Sequence, residues 1–296
     1  MAAGGTGQVF PRNIVAAAWG HDHERAGADR VDLNTVTEFA PATEATWRDG
    51  DAWLGGGTFL FSQPQPGVTR LLDLAAFGWS PVTEDADGVA IAATCTFAEL
   101  ARWRPSHAAF APFAALAARC CHALLGSFKV HNVATVGGNL CLSLPAGPVT
   151  ALASTMDGVV LLRGRGESRG MPAADFVTGD GRNALRPGEL LTRLWLPAAS
   201  LSARTAFRQL SLSPAGRSAV LVAGRRDRFA DTVVTVTAST PRPVCLRFPA
   251  PPTPAEAVAA LDAQRPEYLD DVHGNAAWRA AMTRRLIGEV LAELAS

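Results

Sequence analysis

Apolar positions along the chain alternate between short extended runs and helical spacing, which predicts an α+β protein. The first apolar strand is predicted at Ala52–Leu54 and the next at Arg70–Leu74, after a break at Pro64, Pro66 and Gly67. Between Pro41 and Trp47 the composition predicts a short helix. Val89–Ala93 reads as a further strand. Thr96 then stands three residues before Glu99, the spacing of a capping box that opens a helix. From Ala108 to Leu125, apolar residues recur three or four apart at Ala109, Phe113, Leu116, Cys120 and Leu124, one buried face of a helix. Ala151–Met156 is predicted helical and Val159–Leu162 extended. Gly164, Gly166 and Gly170 bracket a turn, and a loop opens at Asp175-Phe176. Leu190–Leu196 is a strand ended by Pro197.

Beyond a boundary at about Pro197 to Ala203 the pattern changes. Four short strands are predicted at 207–212, 219–225, 232–237 and 244–248, followed by helices at 256–261 and 275–294. In the last helix Trp278, Met282, Leu286, Val290 and Leu294 repeat every four residues. This reads as a small α+β domain, an antiparallel sheet backed by helices. The chain thus divides into a loosely ordered arm over 1–30, a first domain over 31–198 in two parts (31–80 and 81–198), and a second domain over 199–296.

Two stretches join apolar runs through glycines. Trp53-Leu54-Gly55-Gly56-Gly57-Thr58-Phe59-Leu60 is one; Ser127 to Leu142, with Thr135-Val136-Gly137-Gly138-Asn139, is the other. The second is predicted as two extended segments around a glycine bend, whose amides turn toward one point as a nest for an anion. Alone, either loop is an ordinary turn.

Composition narrows the chemistry. Of 296 residues, 48% are hydrophobic and 18% charged, with 27 basic against 27 acidic side chains. A sizeable core is available, and neither disorder nor a nucleic-acid interface is favoured. Lys129 is the only lysine. The five cysteines, Cys95, Cys120, Cys121, Cys141 and Cys245, lack the two-residue spacing of a zinc or iron–sulfur set, so no metal site is expected. Cys120 and Cys121 read as packing residues. An odd thiol count without a secretory leader points to the cytoplasm, and no stretch approaches the ~20 apolar residues of a membrane span.

With both glycine loops and a third motif, Leu185-Arg186-Pro187-Gly188-Glu189-Leu190-Leu191 before Pro197, the chain resembles the flavin-carrying subunits of the molybdenum hydroxylases, the group of xanthine and carbon monoxide dehydrogenases. The resemblance runs from about Val31 to the C-terminus. It implies a two-subdomain FAD-binding fold of the vanillyl-alcohol-oxidase/PCMH type, followed by a small C-terminal α+β domain. Gly55, Gly56, Gly57, Thr58, Phe59 and Leu60 would then line one side of FAD, and Thr135, Gly137, Gly138 and Asn139 the other. Leu191 would pack on the isoalloxazine ring and Arg208 would stand near it. On their own, Leu191 reads equally as core and Arg208 as a solvated surface cation. The sequence departs from the family at Phe59, at His131 in place of arginine, and at Pro148, nine positions after Asn139, where an acidic residue is usual. A lone histidine there reads as a structural hydrogen-bonding residue.

The implied function is an oxidoreductase subunit of the xanthine, CO or aldehyde dehydrogenase kind, without an acid–base pair of its own. It would take electrons from an iron–sulfur small subunit carrying [2Fe-2S] clusters, beside a molybdopterin large subunit. The electrons would pass to NAD+ or another acceptor. Two rival readings are a stand-alone FAD-dependent oxidoreductase of the same fold and a non-catalytic scaffolding subunit that has lost flavin.

Overall fold

A computed structural model describes residue 33 and residues 35–296 apart from positions 165 and 215. The expected N-terminal arm and the expected start at Val31 lie outside the described residues.

Three strands open the fold as a parallel sheet: β1 (Glu38–Pro41), β2 (Asp51–Leu54) and β3 (Arg70–Asp73), with β3 in the middle. A single guanidinium ties them together. Arg70, on β3, donates from Nε and Nη2 to the two carboxylate oxygens of Asp51 on β2, each at 2.7 Å. Its Nη1 faces Glu38 on β1 at 3.3 Å, and Nη2 also reaches the Thr46 carbonyl at 2.8 Å. That last bond explains why the helix expected over 42–47 is absent. A helix would turn the Thr46 carbonyl along its own axis, and so short a helix has little stability of its own. The segment instead forms a turn and irregular chain, and Trp47 lies against Trp53. Pro41 ends β1, an edge strand where its missing N–H breaks no ladder.

The second unit comprises β4 (Val82–Glu84), β5 (Gly88–Ala92), α1 (Phe97–Arg102), α2 (Ala111–His122), α3 (Phe128–His131), α4 (Val136–Leu142) and α5 (Pro148–Thr155). It continues with β6 (Val159–Arg163), β7 (Ser168–Pro172), α6 (Ala173–Phe176), β8 (Val177–Gly179), β9 (Arg182–Asn183), β10 (Leu190–Pro197) and α7 (Ala198–Leu201). Five strands form an antiparallel sheet in the order β4-β5-β10-β6-β7. β10 enters last and takes the centre, where Leu190, Leu191, Leu194 and Leu196 are all buried. The Thr96–Glu99 capping box forms as the spacing predicts. Cys120 and Cys121 are buried within the core, in agreement with their reading as packing residues. Where a loop was expected after Asp175, α6 and the β8–β9 hairpin stand instead.

The last unit is a four-stranded antiparallel meander, β11 (Arg204–Leu210), β12 (Val220–Arg226), β13 (Thr232–Thr237) and β14 (Val244–Phe248), backed by α8 (Pro254–Ala263) and α9 (Ala276–Ala295). Ala206, Val222 and Val234 face the two helices. On the opposite face Phe207, Leu221 and Ala223 join the core of the second unit. Arg279, 2% exposed, turns inward from α9 and donates to the carbonyls of Gly274, Ala219 and Ala238. The Gly274 carbonyl also accepts the Asp271 N–H at 3.3 Å, whereas those of Ala219 and Ala238 have Arg279 as their partner among the described residues.

Candidate functional site

The first glycine loop leaves β2 at Gly55. Gly57 takes φ +67°, which glycine adopts without a steric penalty, and its carbonyl accepts the Phe61 N–H at 2.8 Å. The N–H groups of Gly56, Gly57, Thr58 and Phe59 find no acceptor among the described residues. Four neighbouring donors are thereby left for a ligand.

The second loop differs from the expected strand–bend–strand. Thr135 is the N-cap of α4, with its Oγ1 accepting the Gly138 N–H at 3.0 Å. Gly137, Gly138 and Asn139 therefore lie in the first turn of a helix. Their amides do not form the expected anion nest. Val136 N–H is bound to the Cys95 carbonyl, Gly137 N–H to Ala93, and Asn139 N–H to Thr135. The glycines serve close approach instead. A Cβ on Gly137 would stand 2.6 Å from the Ala93 Cβ and 2.8 Å from its carbonyl oxygen, whereas one on Gly138 would meet only Thr135 Oγ1 at 3.0 Å and otherwise open space.

The two loops touch. A Cβ on Gly56 would fall 1.7 Å from the Val133 carbonyl oxygen, and one on Gly55 3.0 Å from Thr135 Oγ1. Between them opens a cleft of about 820 Å³, counted with its mouth, lined by Gly55, Gly56, Gly57, Thr58, Phe59 and Leu60 on one side and Thr135, Gly138 and Asn139 on the other. Trp53, Phe97, Leu124 and Val130 complete its walls. A second lobe, about 390 Å³ when the open space at its mouth is included, shares Trp53, Gly55, Thr135, Gly138 and Cys141 with the first, and adds Gly137, Ala93, Leu185, Leu190 and Leu191. The structure thus brings eleven of the twelve expected site residues to one place.

Arg208 is the exception. Alternation along β11 places it with Ala206 on the side of α9, where it pairs with Glu289 at 3.4 Å and with Glu293. Its neighbour Phe207 is the residue that faces the core of the second unit. The surface-cation reading of Arg208 therefore describes its surroundings, with the qualification that it is ion-paired.

No charged side chain lines the larger lobe among the described residues. Glu189 borders the smaller one, and its carboxylate is held by Arg169 at 2.8 and 2.7 Å and by the Arg186 N–H at 2.7 Å. The Arg169 hydrogen bonds pull its pKa down against the opposing effect of burial, and the net shift is downward. Burial pushes the Cys141 thiol up to about 12, so it stands in the cleft as a neutral apolar group.

The three departures from the family pattern have structural partners. His131 Nε2 lies 3.1 Å from the Leu124 carbonyl oxygen, which can only accept, so that nitrogen carries hydrogen. The ring meets Phe97 edge-on at 6.1 Å. Pro148 is buried at the first position of α5, where a proline costs no helix hydrogen bond. Asn139, which lines the cleft, accepts the following Val149 N–H on its Oδ1 at 3.2 Å. Phe59 precedes a 3-10 turn and lines the cleft. Sequence reasoning missed the walls Trp53, Phe97, Leu124 and Val130. Only Trp53 carries a local signal, a large aromatic residue two positions before the glycine run.

Residues 34–199 match the family described as the FAD binding domain in molybdopterin dehydrogenase. The nicotinate dehydrogenase FAD-subunit of Eubacterium barkeri is 33% identical over 90 residues, covering 29% of this chain and 30% of that protein's length. Two solved structures share the fold: reconstituted CO dehydrogenase from Oligotropha carboxidovorans, with TM-score 0.75, 19% identity and coverage of 88% of this chain and 97% of that one; and quinoline 2-oxidoreductase from Pseudomonas putida 86, with TM-score 0.72, 18% identity and coverage of 88% and 96%.

Proposed function

The chain belongs to the family of FAD binding domains in molybdopterin dehydrogenases, and from that premise we propose that it is the flavin-carrying electron-transfer subunit of a molybdenum hydroxylase complex. The observation that carries this reading is the meeting of the two glycine loops across one uncharged cleft, with four unengaged amides on its rim.

The cleft fits FAD. A pyrophosphate carries two negative charges, and convergent N–H donors can hold it without a lysine or arginine. Those donors belong to Gly56, Gly57, Thr58 and Phe59, so the first loop takes the anion. The second loop contributes shape: Gly138 keeps the approach open, Thr135 and Asn139 present polar side chains, and Gly137 lets α4 close on the end of β5. The apolar lobes on either side suit the two flat heteroaromatic ends of the dinucleotide, with Leu190 and Leu191 in the smaller one. FAD, when bound, supplies the chemistry of accepting electrons singly and releasing them as a pair. The chain's own residues bind it, orient it and keep charged groups out of the larger lobe.

In this reading the iron–sulfur clusters and the molybdopterin belong to separate chains, and NAD+ or another acceptor takes the electrons. The organic substrate meets another subunit. The nicotinate dehydrogenase relative is itself named as an FAD-subunit, which supports a divided enzyme. Purification from the native host tests the proposal. Visible flavin absorbance near one FAD per chain is expected, together with two co-purifying chains, one of which carries iron. A protein that stays colourless after incubation with excess FAD would overturn the flavin reading. A flavin-loaded chain that runs alone and oxidises a substrate would overturn the complex and favour the stand-alone oxidoreductase.

A further inference from the structure

We propose that Trp53 is the stacking wall for the isoalloxazine end of the flavin and sets the affinity of this chain for it. The inference rests on the FAD reading above.

Five residues line both lobes of the cleft: Trp53, Gly55, Thr135, Gly138 and Cys141. Of these, Trp53 alone offers a flat aromatic surface. It is the last aromatic side chain before the loop whose amides are free, two residues ahead of Gly55 on β2, so a pyrophosphate held at Gly56 to Phe59 brings the next part of the ligand alongside it. The indole is fixed in advance. Its Nε1–H donates to the Glu189 carbonyl at 3.1 Å, across from β2 to the start of β10. Its ring lies 4.9 Å from that of Trp47, tilted by 35°. Trp47 in turn covers Gly188, where a Cβ would stand 2.9 Å from the Trp47 ring. The Glu189 carboxylate is locked by Arg169 and the Arg186 amide, so the acceptor of the indole bond is itself held in place. An aromatic ring set rigidly beside an apolar lobe with Leu190 and Leu191 is organised for a planar heteroaromatic group, because little conformational freedom remains to be lost on binding.

Trp53→Leu and Trp53→Phe separate stacking from the hydrogen bond. The phenyl ring keeps a stacking face and loses the N–H; leucine loses both. FAD, FMN and ADP are titrated into flavin-free full-length protein, with binding followed by calorimetry and by flavin emission, and thermal melts confirm folding. Trp53→Leu is expected to weaken FAD and FMN about tenfold, the loss of one aromatic contact, and to leave ADP unchanged. Emission of the bound flavin, quenched in the wild type by the adjacent indole, should rise in this variant. Trp53→Phe should hold FAD within about threefold of the wild type. Wild-type FAD affinity and quenching in Trp53→Leu would overturn the assignment, as would an equal loss of ADP, or an equal loss in both variants. A wild-type chain that binds no FAD at all overturns the cofactor reading itself, a result distinct from any of these.

Discussion

A single methyl group separates the roles of the glycines. At Gly56 it would be driven to 1.7 Å from the Val133 carbonyl oxygen, a backbone atom that cannot move aside without displacing the second loop. Gly56→Ala is therefore expected to abolish flavin retention through desalting and to lower the melting temperature of the flavin-free protein. Gly138 lies within α4, its φ is not positive, and the added carbon meets only a threonine hydroxyl. Gly138→Ala should keep or slightly raise stability, by up to about 1 kcal/mol, since alanine favours a helix over glycine. Gly138→Val should lose flavin without losing the fold, because its methyls enter the cleft. Flavin absorbance after desalting, read beside thermal melts, checks all three. A Gly56→Ala protein that keeps its flavin would show that the loops do not meet as described. The glycines were legible in the sequence as a pair of loops. Which of them offers amides and which only room was not, because that depends on Cys95 and Ala93 accepting the amides of the second loop.

Among elements, strands and helices with long apolar periods were legible: β10 through four buried leucines, α2 through its single buried face, α9 through its four-residue repeat. Short elements were decided by distant partners. Residues 42–47 form a turn and irregular chain in place of a helix, and Arg70, on another strand, takes the Thr46 carbonyl. α4 stands where a strand is expected because Thr135 caps it, a start signal that the two glycines of its first turn mask in the sequence. The Arg70 cluster gives the parallel sheet a pH dependence. For Asp51, burial acts to raise the pKa, but the hydrogen bonds and charge of Arg70, with the Arg48 amide, outweigh it, and the folded-state value lies below the usual 3.8. Glu189 is lowered as well, chiefly by Arg169. Depressed carboxylates stabilise the fold above their unfolded values and lose that contribution as pH falls through the folded ones. The melting temperature should be steady from about pH 7 to 5 and fall below about pH 4. Asp51→Asn should melt roughly 5–10 °C lower at pH 7 and show a shallower decline in acid, since one of the groups responsible has been removed. An acid profile identical to the wild type would sink this account of the sheet.

At the scale of the whole molecule, the last sheet packs one face on its own two helices and the other on the core of the unit before it, across the sequence boundary near Pro197 to Ala203. All eight residues of α5 are buried, with β12 and β13 packed against the helix. Phe207, Leu221 and Ala223 from the last sheet belong to the same cluster as Phe113, Leu152 and Leu194. Asp157, at the end of α5, binds Arg225 of β12 and Arg247 of β14, and Arg119 of α2 donates to the Phe207 carbonyl at 2.6 Å. A seam so apolar and so fully covered leaves neither side with a complete surface of its own. The full-length protein is therefore expected to unfold in one calorimetric transition, with calorimetric and van't Hoff enthalpies in agreement. A chain ended after Ala203 would expose the inner faces of α2 and α5 and should bind a hydrophobic dye while losing its near-ultraviolet dichroism. Two resolved transitions, or a truncated chain with native dichroism and no dye binding, would show that the C-terminal sheet is a separable module. The cleft lies wholly in the residues before that sheet, so flavin should raise the single transition of the intact chain as one unit. It follows that a destabilising change remote from the cleft, such as Arg279→Leu with the Ala219 and Ala238 carbonyls left unpaired, should loosen flavin binding only through the population of the folded state. Its apparent affinity should recover fully at temperatures well below its own melting point.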